Sequence, residues 1–437
     1  MFKDSLFTFV AQVFGAVCGL ILAVVTSRIL LAEGRGIYAF LQSLIMIYTA
    51  VCAFGLSSSN TYYVASKKHS PETALGNSLI VCFFGMIFFS IFLLLLEIFY
   101  PPFFKGIDQV FVWIIMISLP FYMISSFISS ILLGLQQFFR FNLISILTRA
   151  ITTVASVVLL LIFPKIITAV YVLAAGGIIN FLFTFYFFSI KNRIFIPKFS
   201  FRDVKQSVFF GIKSHIGDIF QTVNLRMGFF LLNSILNPVA VGIYSIISLF
   251  GTSLKFVPAS LSTVLFSRVS AEKRENISEE ITMRSSALSF VACFFTAIFL
   301  AIFAPLILSI FGKDFSAGIF ALRISMIGFI MSSVSKVLST YLIGKGFPQN
   351  YVVGSFWILV IDIAFGIFLI PFFGVTGMVV ADTISAGVMT IIFFIYCKKL
   401  SPLFNIKDLL IPRKEDFVKI ISLVRSIKFN KTLNENS

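Results

Sequence analysis

From Leu6 to Cys397 the chain alternates between apolar runs of twenty or more residues and short breaks of Gly, Pro, Asn and charged residues. A helix needs about 20 apolar residues to cross about 30 Å of hydrocarbon. Cutting at the breaks predicts twelve spans, roughly 6–31, 37–63, 75–99, 110–135, 142–163, 166–190, 207–236, 242–266, 287–310, 319–343, 351–371 and 376–397. Spanning segments in lipid must satisfy their own backbone hydrogen bonds, so these are helices. The ten-residue alternating segments of a β-barrel are not seen. The opening Met-Phe-Lys-Asp and the run to Leu31 are too long for a cleaved leader and lack its small-residue site, which predicts a retained first span.

The pattern repeats. Gly36-Ile37-Tyr38 opens the second span and Gly242-Ile243-Tyr244 the eighth, an offset of 206. Pro164 and Pro371 close the fifth span of each half, and Lys191 and Lys398 the sixth, each at an offset of 207. An even number of helices per half inserts both halves the same way up, and transporters built from such parallel repeats bind their solute between the lobes. The predicted fold class is therefore an all-α integral membrane protein, with two parallel six-helix lobes around a central cavity. The predicted organisation is an N-terminal lobe at 1–190, a basic linker at 191–206, a C-terminal lobe at 207–397 and a basic tail at 398–437. In the tail, Phe417, Ile420, Ile421, Val424 and Ile427 keep helical spacing among Lys419, Arg425 and Lys428, as expected of a helix lying on an anionic leaflet.

Composition narrows the classes. Of the 437 residues 59% are hydrophobic and 12% charged, against roughly 25% charged in soluble domains. That excludes a soluble enzyme, a nucleic-acid module and a disordered chain. The net charge of +16 reflects topology instead. With the N-terminus inside, 23 of the 34 lysines and arginines fall in cytoplasmic segments and only Arg35, Lys105, Lys165 and Lys313 outside. The positive-inside rule then predicts both termini in the cytoplasm. The five cysteines stand singly in apolar segments, indicating neither a disulfide framework nor a metal site.

Eleven ionisable side chains, histidine aside, lie inside the predicted spans: Arg28, Glu97, Arg149, Lys213, Asp218, Arg226, Lys255, Arg323, Lys336, Asp362 and Asp382. Each costs about 2.5–3.5 kcal/mol at mid-depth if it faces lipid, so they must face water or one another. Arg28 and Arg323 lie within reach of the outer boundary by snorkelling, and Lys213 within reach of the inner one. Lys255 lies thirteen residues into its span, roughly 20 Å from the end at about 1.5 Å per residue. Span seven carries His215, Asp218, Thr222 and Arg226 on one stripe, extended by Asn233 and broadened by Gln221 and Asn224. Such a stripe is either a cavity wall or a place where Asp218 and a neighbouring cation neutralise each other. Seven bases against four acids favour an anionic solute, and guanidinium groups suit phosphate. Pro120 and Pro258 are expected to bend their helices and widen the cleft. No phosphate-binding loop of the ATPase type appears.

Several motifs stand in a particular order along this frame. They are Ser27-Arg28-Ile29-Leu30-Leu31 followed by Gly34-Arg35-Gly36-Ile37-Tyr38, Arg226 followed by Gly242-Ile243-Tyr244-Ser245, Gly344 to Asn350, and Gly374-Val375-Thr376-Gly377. In these the chain resembles the Wzx-type O-antigen and polysaccharide flippases of the MOP (multidrug/oligosaccharidyl-lipid/polysaccharide) superfamily. The resemblance implies movement of an undecaprenyl-pyrophosphate-linked oligosaccharide from the cytoplasmic to the periplasmic leaflet of the bacterial inner membrane. It implies contacts to membrane lipids and, as further partners, a polysaccharide polymerase and a chain-length regulator. On this reading Arg149, Arg226, Lys255 and Lys336 meet pyrophosphate or sugar acids, with Arg28 and Lys213 at the two mouths. Asp218 and Asp362 are the candidates for proton or sodium coupling; no other cofactor, no metal and no nucleic acid is expected. Similar sequences often carry an acid shortly after the seventh-span arginine; here the second position after Arg226 is Gly228. A multidrug/cation antiporter of the same superfamily would want an acidic cavity. A polymerase or other membrane enzyme would want a long external loop or a His/Asp cluster, and His69 and His215 stand far apart.

Overall fold

The computed structural model describes residues 2–192, 198–271 and 275–413. The predicted tail helix at 417–428 lies outside the described residues. The regular elements among those described are all helices, with no strand. The helices are α1 (Phe2–Val51), α2 (Leu56–Ala65), α3 (Pro71–Phe99), α4 (Gln109–Gly134), α5 (Phe138–Ile162), α6 (Ile166–Asn192), α7 (Phe201–Ile235) and α8 (Pro238–Leu254). They continue as α9 (Phe256–Ala271), α10 (Glu275–Ile302), α11 (Ala304–Phe311), α12 (Ile319–Gly344), α13 (Pro348–Phe373), α14 (Val375–Leu400) and α15 (Ile406–Leu410). Among the described residues nine helices are long and apolar enough to cross a membrane. This is a multi-pass membrane protein.

Local chemistry sets many of the boundaries. Ser70 caps α3 by accepting from the Thr73 N–H, and Pro71 follows at the first helical position. Asp108 caps α4 through the Val110 N–H at 2.9 Å, and Ser200 caps α7 through the Asp203 N–H. α1 holds two predicted spans end to end, meeting at Leu31, where φ is 59°. The second of them does not run on to 63 as one helix. It breaks at Val51–Gly55, with Phe54 and Gly55 at positive φ, and resumes as α2. The eighth span breaks too, at Lys255, between α8 and α9. Proline was expected to bend that span at position 258. Instead Pro258 sits in the first turn of a new helix, where its missing N–H costs no intrahelical bond. A further correction concerns the ninth span, expected to begin at 287. Its helix starts at Glu275, because the charged stretch at 279–284 is accommodated rather than expelled, as described below.

The chain forms two compact units. One comprises the described residues of Met1–Ser248, Pro305–Ala321 and Leu359–Ala381; the other those of Leu249–Ala304, Leu322–Ile358 and Asp382–Ser437. In the first unit, Val64, Leu75, Ile128, Ile131, Leu132, Ile144 and Phe188 knit α2 to α6 together. In the second, Leu265, Met283, Val337, Tyr341, Phe393, Phe404 and Leu409 form one core. There the short α15 folds back on α10, and Arg413 bonds Glu280 at 3.3 Å.

Candidate functional site

The polar face of α7 is the richest of the predicted site elements, and the structure divides it among several partners. His215 Nδ1 and the Asp218 carboxylate pair at 2.9 Å, both partly exposed. One turn on, the Thr222 hydroxyl donates to the Asp218 carbonyl at 2.9 Å. Asn224 donates from Nδ2 to Asp362 Oδ2 of α13 at 3.0 Å, and Asp362 is fully buried. Asn233, at the far end, donates to the Phe103 carbonyl at 2.8 Å and to that of Lys105 at 3.2 Å. It thereby holds the turn before α4.

Arg226 lies between these ties. Its guanidinium stands over the Phe229 ring at 5.4 Å, and Phe229 meets Tyr244 edge-on at 5.1 Å. Its Nε is buried with no hydrogen-bond partner among the described residues. Gly228 is explained by the same corner. A β-carbon there would approach the Tyr244 hydroxyl to 2.7 Å, so no acidic side chain fits against this tyrosine without moving it.

The other predicted bases are dispersed. Arg28 donates from Nε to the Ile310 carbonyl at 2.6 Å. Arg149, on α5, lies against the backbone of α1 at Gly15, where a β-carbon would collide with its guanidinium. Lys336 is exposed on α12, and its carbonyl accepts from Ser339 and Thr340 at 2.8 Å. The side chain of Lys213 lies outside the described residues. Lys255 is half-buried at the break in span eight. Its carbonyl accepts from the Ala259 N–H at 3.0 Å, the first bond of α9. Arg28, Arg149, Arg226, Asp218 and Asp362 belong to the first compact unit, Lys255 and Lys336 to the second.

Arg35 is the residue that sequence reasoning misplaced. It was assigned to an external loop, but it is buried, 7% exposed, in the helix after the Leu31 kink. It donates from Nε to Ser245 Oγ at 3.1 Å and from Nη1 to Thr26 Oγ1 at 3.0 Å. Its guanidinium also stands over Tyr38 at 5.5 Å. The available signal was its flanking pair, Gly34 and Gly36, whose lack of side chains permits close helix approach. Gly36 faces the Pro238 carbonyl and Gly242 faces that of Ala32. The two copies of the Gly-Ile-Tyr motif are thus packed against one another. Close by, the Ala32 N–H reaches Asp314 Oδ2 at 3.4 Å.

The profile of the polysaccharide biosynthesis protein family matches residues 1–270. The chain belongs to that family. The matched stretch takes in both Gly-Ile-Tyr motifs, Arg226 and Lys255, so these features lie within the part of this family member that identifies it. No curated protein matches the chain. Among solved structures it is similar to an inward-facing multidrug resistance MATE family transporter of the MOP superfamily. That match has 16% identity and a TM-score of 0.74, covering 88% of this chain and 94% of that one. It is similar to the lipid II flippase MurJ in an inward closed conformation at 15% identity and a TM-score of 0.73, covering 94% and 89%. A MOP superfamily transporter from Pyrococcus furiosus, described as having a binding pocket of reverse polarity, aligns at 16% identity and a TM-score of 0.60, covering 91% and 94%. The fold is that of MOP superfamily transporters, as the resemblance implied.

Proposed function

We propose that this protein is a flippase for an undecaprenyl-pyrophosphate-linked oligosaccharide, a repeat unit of O-antigen or a related surface glycan. It works in the bacterial inner membrane with both termini in the cytoplasm, by alternating access of the lobes 1–190 and 207–397. Membership of the polysaccharide biosynthesis family supports the solute class. The observation that carries the reading is Lys255, standing where α9 begins inside a predicted span. A helix start presents backbone N–H groups and a positive dipole end, and a lysine beside it adds to the attraction for an anion. Within the first unit, Arg226, with its buried Nε, offers a donor to phosphate. Arg149 and Lys336 contact pyrophosphate or sugar acids, and Arg28 and Lys213 serve the two mouths. Asp362, buried beside Asn224, and Asp218, beside His215, are the candidates for proton or sodium coupling. A polymerase and a chain-length regulator act next on the flipped unit.

The test is mass spectrometry of lipid-linked sugars in a deletion strain. A flippase leaves one complete repeat unit on the cytoplasmic leaflet and no surface polymer. In the complemented strain, Lys255→Ala should abolish export while the protein stays in the membrane. Single units on the outer leaflet would point instead to a polymerase. The buried Asp362 favours one second reading, a cation antiporter of the MATE type, for which lipid-linked sugars would be unchanged and drug sensitivity altered.

A further inference from the structure

Buried hydroxyls in these helices ordinarily donate to the carbonyl three or four residues back. Ser43, Ser118, Ser130, Ser325, Ser333 and Thr282 all do so, at 2.6–2.8 Å. On α10 Thr282 keeps to this habit but two serines further along do not; Ser27, Ser59 and Ser355, each the one such serine on its own helix, also lack a partner among the described residues. Ser286 and Ser289 are fully buried, and their hydroxyls have no partner among the described residues. About two turns before Ser286, Glu279 is also buried, 1% exposed. Its Oε1 accepts from the Tyr341 hydroxyl at 2.6 Å, whereas Oε2 is buried with no such partner.

These groups share one face. Glu279, Thr282, Ser286, Ser289 and Cys293 recur at helical spacing within an arc of about 80° at about 100° per residue. Beyond Ser289, Cys293 donates from Sγ to the Leu254 carbonyl at 3.6 Å. The stripe therefore begins at Glu279, runs about 21 Å at about 1.5 Å per residue, and ends at the break before Lys255. On α9, which packs along α10, Ser262 holds another buried hydroxyl without a partner among the described residues. Partnerless buried polar atoms are uncommon, and a row of them is the usual setting of bound water.

We propose that the stripe is a buried water file from Glu279 to the helix break at Lys255, and that Glu279 is the group where it takes up and releases a proton. The exchange is simple: the carboxylate takes a proton from a hydronium ion in the file, leaving water, and the carboxylic acid later returns it to a water molecule, regenerating hydronium and carboxylate. The charges around Glu279 leave it this role. On its own helix Glu280 is held by Arg284 at 2.7 Å, and from the α15 segment Arg413 bonds Glu280 and pairs with Asp408 at 3.8 Å. From α12 comes Tyr341 and from the turn after it Lys345, which stands over the Tyr341 ring at 5.9 Å. α14 contributes the Cys397 thiol, part of the same core as Tyr341. Glu279 forms no ion pair among the described residues. Nothing in this inference depends on which solute is carried.

The test uses the full chain in lipid nanodiscs with the five native cysteines replaced by serine. Ser286→Cys and Ser289→Cys are each reacted with a small cationic methanethiosulfonate, beside Val337→Cys in the dry core as the control. Only the hydrated thiolate reacts, so both stripe positions should be modified at least about tenfold faster than the control. Reaction as slow as that of Val337→Cys at both positions overturns the water file. Infrared spectroscopy then reads the proton. A carboxyl band that shifts promptly in D2O and is lost in Glu279→Gln is expected. A spectrum that Glu279→Gln leaves unchanged, or a Glu279 band that does not exchange, overturns the assignment of Glu279.

Discussion

Gly36 and Gly242 each rest on the carbonyl four residues before the other: Gly36 on that of Pro238, Gly242 on that of Ala32. The offset of 206 residues read in the sequence is thus a near two-fold relation in space, with one repeat motif crossing its own copy. A side chain on either glycine must push two backbones apart, since a carbonyl cannot swing away as a flexible side chain can. Gly36→Ala and Gly242→Ala should each lower stability by about 1–3 kcal/mol. The double variant should lose less than the sum, because the first separation makes room for the second. Thermal unfolding in detergent measures all three, and a wild-type melting temperature for Gly36→Ala would contradict the crossing.

Arg35 is tied to Thr26 and Ser245 through different nitrogens of one planar group. Lysine offers a point charge without that fork. Arg35→Lys should therefore cost nearly as much as Arg35→Ala, about 2–4 kcal/mol for losing charged, buried hydrogen bonds. Ser245→Ala should cost about 0.5–1.5 kcal/mol. If lysine restores wild-type stability, the fork is not what holds this corner.

The Asn224–Asp362 contact calls for a double-mutant cycle. Asp362→Ala leaves the Asn224 amide without this acceptor, a loss of about 1–3 kcal/mol. Asn224→Ala alone should also destabilise. Their coupling energy should exceed about 0.5 kcal/mol, the scatter expected of independent sites. Strict additivity would mean that the two side chains do not depend on each other.

His69 offers a test by pH. It lies in the turn between α2 and α3, stacked on Tyr63 at 4.4 Å. Burial lowers its pKa below the ordinary 6.5, opposed in part by Asp203. The unfolded chain therefore takes up the proton first. The stabilisation is complete above about pH 6.5 and is lost as the pH falls below it, levelling off beneath the folded value. Melting curves between pH 5 and 8 should show wild type declining on the acid side and His69→Gln declining less. Parallel curves would remove His69 from the account.

The sequence-derived spans for α3 to α6 fall within four residues of the helices seen, because lipid imposes length and apolarity directly. The breaks at Val51–Gly55 and at Lys255 were not legible in this way. Apolar residues continue across both, and what decides the first is a partner far along the chain, Gly211, whose backbone packs on Gly55. The start of α10 was hidden by Glu279 to Arg284, which read as solvent-exposed until Tyr341 and Arg413 supply partners. Arg35 was hidden by its charge. Of the predicted site, the polar face of α7 was visible as a stripe, but its division among Asp362, Phe229 and the Phe103 turn depends on helices that no local spacing reveals.

The break in the second span has a consequence for how the protein is made. Its two halves, ending at Val51 and resuming at Leu56, forgo part of the hydrogen-bond ladder that lipid demands. The surface that seats the break is Gly211 in α7, about 150 residues downstream and still to be synthesised when this segment enters the bilayer. A straight helix keeps that ladder whole, so this segment is expected to enter the bilayer unbroken and to bend once α7 arrives. A ribosome arrested before residue 201 should then hold a chain whose second span is still straight.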